Sequence, residues 1–267
     1  MERTLIEIFP DHDSISLAAA TYVVGRARRS LKERGRFAVA LAGGSTPKQT
    51  YEFLAGPPFA DLMPWTDTHV FWSDERCVDP SDARSNERMA RLALLDHVAI
   101  PPGQIHAMRC GAAEYDDRLR ESFPLDLALL GLGSDGHTAS LFPGSPALRE
   151  EERWTTGVFV EGAAGAGLGA EPGGRAGDGP AAAAPAAAEG SWRVTLTASF
   201  VNTATAVVFV VSGAAKAEAV KQVLEGPRDT DRLPAQLIRP RDGELRWLLD
   251  DEAAALLSTA NRGRSCS

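Results

Sequence analysis

The chain has 267 residues, of which 44% are hydrophobic and 24% charged, and its formal net charge is -8. This length and composition predict a globular protein with a substantial core. The acidic balance argues against a general nucleic-acid or membrane-surface binder, which needs a basic face, but permits an anionic substrate in a locally basic pocket.

Short apolar segments alternate with longer helical patterns along most of the chain. Strands are predicted at 37–43, 68–74, 126–133, 192–198 and 205–213. Helices are predicted at 47–55, 85–98 and 215–226, and 244–257 is predicted as a strand that runs into a last helix. This alternation predicts an α/β fold with three α/β/α layers and a mainly parallel, Rossmann-like sheet.

Residues 162–190 interrupt the alternation, because they are almost wholly Ala, Gly and Pro. Such a segment buries too little apolar surface to offset the entropy lost on ordering. The strand–helix pattern resumes directly after it, which favours an insertion between core strands over a linker between domains. We therefore predict one domain over 1–267 with a disordered insertion at 162–190.

The cysteines and histidines give no metal or disulfide signature. Cys77, Cys110 and Cys266 are scattered, odd in number and contain no CxxC pair, which favours a reducing compartment. The histidines have no ligand spacing, so no zinc site is expected. No signal peptide is recognised, and no segment approaches the roughly 18 apolar residues of a membrane span. A cytoplasmic protein is predicted.

The segment LAGGSTPKQTY passes from the first predicted strand into a helix. Thr46, Pro47 and Gln49 fit a helix start with an N-cap, a first-turn proline and a capping box. Gly43 and Gly44 let the backbone turn and leave N–H groups open to an anion at the helix N-terminus. An ordinary strand-to-helix turn is the alternative interpretation.

Charged residues follow the second predicted strand. Asp74, Glu75 and Arg76 stand where ligands bind in open parallel sheets, at the carboxyl end of a strand. A solvated charge cluster is the alternative. Ser85 and Asn86 are predicted as N-cap residues of the next helix.

Two further cations are candidates for an anion site. Lys216 lies in the first turn of the helix that follows strand 205–213. There a cation opposes the helix dipole unless an anion such as phosphate is bound at the same place. Arg193, at the start of strand 192–198, is a weaker candidate for the same anion. An exposed lysine and a surface arginine are the alternatives.

The stretch GLGSDGHTASLFPG at 131–144 has the glycine spacing of a dinucleotide-binding loop. In that fold the third glycine leads into a full helix, and an acidic residue follows at a strand end about 20 residues later. Here Pro143 and Gly144 stop any helix within two turns, and the downstream segment ALREEERW is polar. We therefore do not predict a nicotinamide or flavin site.

The same glycines leave room around Asp135 and His137 at the carboxyl end of a predicted strand. A histidine can accept a proton near neutral pH, and a carboxylate can orient and polarise it. Residues two apart do not automatically touch, and a purely structural histidine is the alternative. The loop therefore contains a candidate base, His137, and the sequence leaves open whether Asp135 contacts it.

Several of these segments occur in the order found in one enzyme family. The chain resembles the 6-phosphogluconolactonases, hydrolases of the pentose phosphate pathway related in fold to glucosamine-6-phosphate deaminases. The segments that carry the resemblance are LAGGSTP, FWSDERCVDP followed by SN, LLGLGSDGHTASLFPGS, RVTLT, SGAAKAEAV and LPAQLIRP with WLLD. They span nearly the whole chain outside the Ala/Gly/Pro-rich segment. DGHTASLFPG together with SDER is specific, whereas the deaminases share GGSTP.

The resemblance implies a phosphorylated sugar lactone as substrate, water as nucleophile, and no metal or cofactor. It implies that His137 is the general base with Asp135 beside it, and that Arg76 stabilises charge on the lactone carbonyl or holds the substrate. The predicted substrate and phosphate ligands are Gly43, Gly44, Ser45, Asp74, Lys216 and Arg193. No nucleic-acid or membrane partner is expected, and the chain is expected to be a monomer or small homo-oligomer.

The nearest alternative activity is that of a glucosamine-6-phosphate deaminase/isomerase. In that family the corresponding loop ends in Asn-Glu-Pro, whose glutamate belongs to the ring-opening machinery, whereas Leu141, Phe142 and Pro143 stand here. A non-catalytic sugar-phosphate sensor on the same fold is expected to carry a DNA-binding domain, for which we find no spare segment. The missing glutamate, with Asp135 and His137 both present, favours a lactone hydrolase.

Overall fold

The computed structural model describes residues 4–111, 114–161 and 190–262. These residues form nine strands: β1 Thr4–Phe9, β2 Phe37–Leu41, β3 Thr68–Trp72, β4 Asp74–Arg76, β5 Leu127–Leu130, β6 Thr155–Glu161, β7 Gly190–Leu196, β8 Ala206–Val211 and β9 Glu244–Asp250. The α-helices among them are α1 His12–Arg34, α2 Ser45–Ala55, α3 Phe59–Leu62, α4 Asn86–Ala93, α5 Glu114–Glu121, α6 Ala198–Val201, α7 Ala217–Glu225 and α8 Thr259–Arg262. The predicted insertion at 162–190 lies outside the described residues, except that Gly190 begins β7.

Six strands form the central sheet in the order β1-β9-β8-β5-β2-β3, and every neighbouring pair is parallel. β2, β5 and β8 are buried along their full length, as expected for parallel strands whose two faces are both covered. The predicted α/β fold with a mainly parallel sheet is confirmed. Because all six strands run the same way, their carboxyl ends lie along one edge of the sheet.

A separate antiparallel sheet of three strands, in the order β4-β7-β6, lies beside this edge. The segment at 192–198 contains a strand, as predicted, but that strand pairs with β4 and β6 and not with the central sheet. The strand predicted at 68–74 is divided at Ser73, where the chain leaves the central sheet and begins β4. The second sheet was not predicted, because its pairing partners are far apart in the sequence.

The first two elements, β1 and α1, were also not predicted. α1 begins after Asp11, whose side chain accepts a hydrogen bond from the Ser14 N–H at 2.8 Å, and ends at Gly35 with φ +71°. Its buried face contacts β1, β2, β8 and β9. α1 therefore covers one face of the sheet. No helix in the described ranges is long and apolar enough to cross a bilayer.

Two predicted helix limits and one predicted capping box differ from the structure. α2 begins at Ser45 after Gly44, so Thr46 is inside the helix and does not cap it. Gln49 binds Asp13 of α1 at 2.5 Å and does not complete a capping box with Thr46. The helix predicted at 85–98 ends at Ala93, although Ser85 is its N-cap as predicted, since Ser85 Oγ accepts from the Arg88 N–H at 3.1 Å.

The last predicted helix is wrong over residues 251–257, which form turns. The Asp250 carboxylate accepts hydrogen bonds from the Gly213 N–H at 2.9 Å and from the Ala253 N–H at 2.7 Å. These bonds hold the end of β9 against the end of β8. A tertiary contact thus overrides the helix propensity of the alanines that follow.

A buried carboxylate holds the opposite edge of the sheet together. Asp126, whose exposed fraction is 0%, accepts hydrogen bonds from the Ala38 N–H at 2.7 Å and from Arg34 Nε at 2.8 Å. Arg36 Nη1 lies 3.4 Å from its second oxygen. One side chain therefore joins the end of α1, the start of β2 and the start of β5.

Candidate active site

The candidate residues lie on loops that follow neighbouring strands. Gly43 to Ser45 follow β2, residues 131–137 follow β5, and Lys216 ends a 3₁₀ turn after β8. β5 lies between β2 and β8 in the sheet. The candidate base loop is therefore flanked by the two candidate phosphate-binding segments, which is the usual place for a ligand in an open parallel sheet.

The loop after β5 is closed by its own backbone and contains no helix. The Gly133 N–H donates to the His137 carbonyl at 2.8 Å, and the Gly136 N–H donates to the Gly133 carbonyl at 3.0 Å. Gly136 has φ +83°, which favours glycine. A Cβ on Gly133 would lie 2.1 Å from His137 Nδ1. This close approach is possible because residue 133 has no side chain.

Asp135 and His137 are in direct contact, which the spacing had left open. Asp135 Oδ1 lies 2.5 Å from His137 Nδ1 and also accepts from the His137 backbone N–H at 3.1 Å. Burial alone raises the pKa of Asp135, but the hydrogen bonds and charge of His137 outweigh it and lower that pKa below its usual value. Because the ionised carboxylate only accepts, the neutral imidazole carries its proton on Nδ1, and its Nε2 then has the lone pair.

Arg76 and Arg193 are direct partners across the antiparallel sheet. The Nε of each is buried and has no hydrogen-bond partner within the described part of the chain. Burial lowers the pKa of Arg193, the Arg76 charge lowers it further, and Asp74 opposes both. Arg76 and Arg193 were predicted singly from the sequence; the structure places them together as two cations, and Arg76 Nη1 donates to the Arg84 carbonyl.

Phe142 connects these cations to the candidate base. Its ring centroid lies 4.3 Å from that of His137, with 32° between the planes, and the Arg193 guanidinium carbon lies 5.2 Å from the same centroid. No site role was predicted for Phe142 from the sequence. Its position in the DGHTASLFPG loop was the available signal.

Asp74 is buried, and both of its carboxylate oxygens are bonded to protein groups. Oδ2 accepts from Ser140 Oγ at 2.7 Å, and Oδ1 accepts from Asn86 Nδ2 at 3.2 Å. The amide of Asn86 lies against Gly43, where a Cβ would come within 2.0 Å of Asn86 Oδ1. Asp74 therefore connects β4 to the loop of Ser140 and, through Asn86, to the loop of Gly43. Its predicted contact with substrate stays a prediction.

Glu75 is only 3% exposed, so the interpretation of residues 74–76 as a solvated charge cluster is wrong for it and for Asp74. Its carboxylate accepts from the backbone N–H groups of Arg76, Asn86 and Glu87 at 2.7 to 2.8 Å. An anion at the first turn of a helix is favourable because the N–H groups there lack helical partners. Glu75 thus fixes the start of α4 against β4.

The glycine loop after β2 leaves the start of α2 open. Gly44 has φ +109°, and no side chain caps the helix that begins at Ser45. The first N–H groups of such a helix have no partner within it. The Tyr51 hydroxyl is within 2.9 Å of both the N–H and the carbonyl of Ala42 and holds the base of the loop. The anion contact predicted for Gly43 to Ser45 stays a prediction.

Lys216 lies one strand away from the candidate base loop. Within the described ranges, no hydrogen bond or ion pair joins its ammonium to Asp135, His137, Arg76 or Arg193. Likewise, no group of three or more His, Cys, Asp or Glu side chains in those ranges is placed to hold a metal ion. The structure therefore joins Asp135 to His137 by a hydrogen bond and pairs Arg76 with Arg193 across the small sheet. Lys216 is placed near them only by the order of the strands.

Two cysteines are paired, contrary to the sequence interpretation. Cys77 and Cys110 form a disulfide whose Cα atoms are 5.5 Å apart. Cys77 directly follows Arg76, and its N–H donates to the Trp192 carbonyl at 2.9 Å. The pairing was missed because the partners are 33 residues apart and no CxxC motif marks them. Cys266 lies outside the described residues.

Comparison with known proteins identifies the class. The profile of the family "Glucosamine-6-phosphate isomerases/6-phosphogluconolactonase" matches residues 10–165 and 175–247. This chain belongs to that family. Within it, a 6-phosphogluconolactonase of Nostoc sp. is 38% identical over 273 residues, covering 97% of this chain and 100% of that protein.

Solved structures agree with this placement. The 6-phosphogluconolactonase of Trypanosoma brucei has a TM-score of 0.72 and 26% identity, with 97% of this chain and 100% of that chain covered. A monomeric glucosamine-6-phosphate deaminase has a TM-score of 0.73 at 20% identity, with 95% and 100% covered. The second similarity concerns the fold alone.

Proposed function

We propose that this chain hydrolyses 6-phospho-D-glucono-1,5-lactone to 6-phospho-D-gluconate, a step of the pentose phosphate pathway. The observation that carries the proposal is the 2.5 Å contact between Asp135 and His137 at the carboxyl edge of the sheet. It occurs in a chain 38% identical, over nearly its full length, to a protein named 6-phosphogluconolactonase. Ester hydrolysis by water requires an oriented base and positive charge at the ester, which His137 and the Arg76–Arg193 pair would supply.

The proton path follows from the orientation of the imidazole. With Nδ1 held as a donor to Asp135, Nε2 accepts a proton from a water whose oxygen attacks the lactone carbonyl carbon. The imidazolium that forms is stabilised by the Asp135 carboxylate. It returns the proton to the ring oxygen as the carbon–oxygen bond breaks, so one water is consumed and the base is regenerated. General-base assistance of this kind contributes roughly 10² to 10⁴ in rate.

The charge that develops on the lactone oxygen needs preorganised donors. Arg76 has a buried Nε without a hydrogen-bond partner in the described part of the chain and is held by its backbone pairing with Arg193. In this proposal Arg76 stabilises the carbonyl oxygen as it becomes an oxyanion, and Arg193 adds positive charge beside it. Two fixed cations favour the transition state over the neutral lactone group.

The phosphate of the substrate is assigned to the segments on either side of the base loop. The open N-terminus of α2 offers the backbone N–H groups of Gly43, Gly44 and Ser45, and Lys216 offers an ammonium from the strand beside β5. Helix N-termini and ammonium groups both favour anions. Binding the phosphate away from the ester would orient the lactone ring against His137.

A glucosamine-6-phosphate deaminase activity is not favoured. Phe142 occupies the position of the glutamate that the resemblance assigns to ring opening, and its ring contacts that of His137. A phenyl ring can neither accept nor donate the proton that opening of a sugar ring needs.

The test is hydrolysis of freshly prepared lactone, measured as 6-phosphogluconate formed above the spontaneous rate. We expect His137→Ala to lower kcat by roughly 10² to 10⁴, and Lys216→Ala to raise KM with little change in kcat. Lys48→Ala is the matched control, because Lys48 is exposed on α2 and pairs with Glu52. No acceleration by the wild-type protein would refute the activity; a fully active His137→Ala would refute only the assignment of the base.

Cytoplasmic location and a monomeric or small homo-oligomeric state are part of the same proposal. The substrate is a small phosphorylated metabolite, and each site residue described above comes from one chain. Cell fractionation and light scattering of the purified protein test the two points separately.

A further inference from the structure

One aromatic ring touches both the candidate base and a cation from another sheet. The Phe142 ring centroid lies 4.3 Å from that of His137 with 32° between the two planes, and the Arg193 guanidinium carbon lies 5.2 Å from the Phe142 centroid. One phenyl ring therefore contacts both the imidazole and the guanidinium.

The charged groups around His137 come from three elements. Asp135 contacts it from its own loop, Arg193 approaches from β7 across Phe142, and Arg76 stands beside Arg193 on β4. Asp74 reaches the same loop through Ser140.

The segment behind the loop carries Asp229, Asp231 and Arg232, whose side chains form the ion pairs Asp229–Arg232 and Asp231–Arg149. It contacts Gly136 through the Leu233 side chain and through the Ala235 N–H. His137 therefore has one carboxylate in contact with it, and the Arg193 guanidinium contacts the same phenyl ring as the imidazole.

We propose that Phe142 is a positioning residue that keeps the Arg193 guanidinium off the His137 imidazole and presents its ring face to both. The face of an aromatic ring carries negative charge and attracts cations. An imidazolium against this face is stabilised, whereas a guanidinium in direct contact would repel it. Phe142 thus allows His137 to take up a proton while Arg193 stays close enough to serve the same substrate. The inference rests on the proposed function for its catalytic meaning, but the contact can be tested without turnover.

The experiment is an NMR titration of the His137 imidazole in the full chain, with the signal assigned by its loss in His137→Asn. We expect Phe142→Leu to lower the His137 pKa by roughly half a unit, which is the scale of a cation–aromatic contact. Phe142→Tyr keeps the ring face and should restore the wild-type value. Phe159→Leu is the matched control, because Phe159 packs against Trp192 in the same small sheet.

Two further variants separate positioning from loosening of the loop. If Phe142→Leu acted by breaking the contact between Asp135 and His137, its effect would vanish in an Asp135→Asn background; the proposal requires that it persist there. Arg193→Gln should raise the His137 pKa more in the Phe142→Leu background than in the wild type. An unchanged His137 pKa in Phe142→Leu, or equal effects of Arg193→Gln in both backgrounds, would overturn the inference.

Activity measurements distinguish this outcome from failure of the proposed function. In an active enzyme, the acidic limb of the kcat/KM profile of Phe142→Leu should move to lower pH together with the His137 titration. A protein that shows the NMR shifts but does not accelerate lactone hydrolysis would refute the function and support the contact. A protein that hydrolyses the lactone with no NMR shift would do the reverse.

Discussion

Adding one methyl group at Gly133 should disable the acid–base pair without changing its chemistry. A Cβ built there lies 2.1 Å from His137 Nδ1 and 2.4 Å from Asp135 Oδ1. Ordinary contacts begin at 3.4 Å, so one or both side chains must retreat by about 1 Å. Misplacement of a reacting group by about 1 Å can cost on the order of 10²-fold in rate. We therefore expect Gly133→Ala to lower kcat about 100-fold.

Gly131→Ala is the control, because it lies in the same loop and its added Cβ meets nothing within 4 Å. The assay is hydrolysis of the lactone over a range of concentrations, with a thermal melt of each variant to verify folding. KM should change little in Gly133→Ala, since the segments proposed to bind phosphate follow other strands. Wild-type kcat in this variant would show that the pair does not need the observed geometry. An equal loss in both variants would show that the loop, and not the pair, is sensitive.

Three predictions concern stability and are measured by urea unfolding. Gly25→Ala, in an exposed stretch of α1 where an added Cβ meets nothing within 4 Å, should stabilise by about 0.5–1 kcal/mol; a loss would contradict the helix assignment. Asp126→Asn should destabilise by about 3 kcal/mol, because Arg34 loses its buried anion; no change would mean that water replaces it. Reduction of Cys77–Cys110 by a dithiol should destabilise by about 3–4 kcal/mol for a loop of this length; an unchanged midpoint would argue that the bond is absent.

The central sheet was predictable because its strands are distinct apolar runs. The predicted strand at 126–133 contains β5 at Leu127–Leu130, and that at 205–213 contains β8 at Ala206–Val211. Both lie in the middle of the sheet, where nothing polar is tolerated on either face. β1 lies at the sheet edge and is only partly buried, so Thr4–Phe9 lacks that signal. Of the disordered insertion predicted at 162–190, residues 162–189 lie outside the described residues and stay a prediction, whereas Gly190 begins β7.

The site was predictable as a set of residues but not as a set of contacts. Motif and position pointed to Asp135 and His137, yet their contact depends on a backbone loop that Gly133 allows to close. The pairing of Arg76 with Arg193 joins residues more than one hundred positions apart through a sheet that no periodicity revealed. In the sequence Phe142 is an ordinary apolar residue, and only the fold shows that its ring contacts His137. Long-range pairing is the information that a single sequence lacks.

The pairing of β6 with β7 allows residues to be added between these two strands without moving the site residues. Glu161 and Gly190 are directly opposite partners, so the chain leaves this sheet and returns to it at the same point. Arg193 lies inside the hairpin, where its place is set by pairing with Val158 and Arg76. Each doubling of a connection's length costs only about 0.6 kcal/mol in closure entropy. A short turn or an entire foreign domain could therefore replace the connection while leaving the arginine pair in register, which makes this a natural position for a fluorescent reporter of substrate binding.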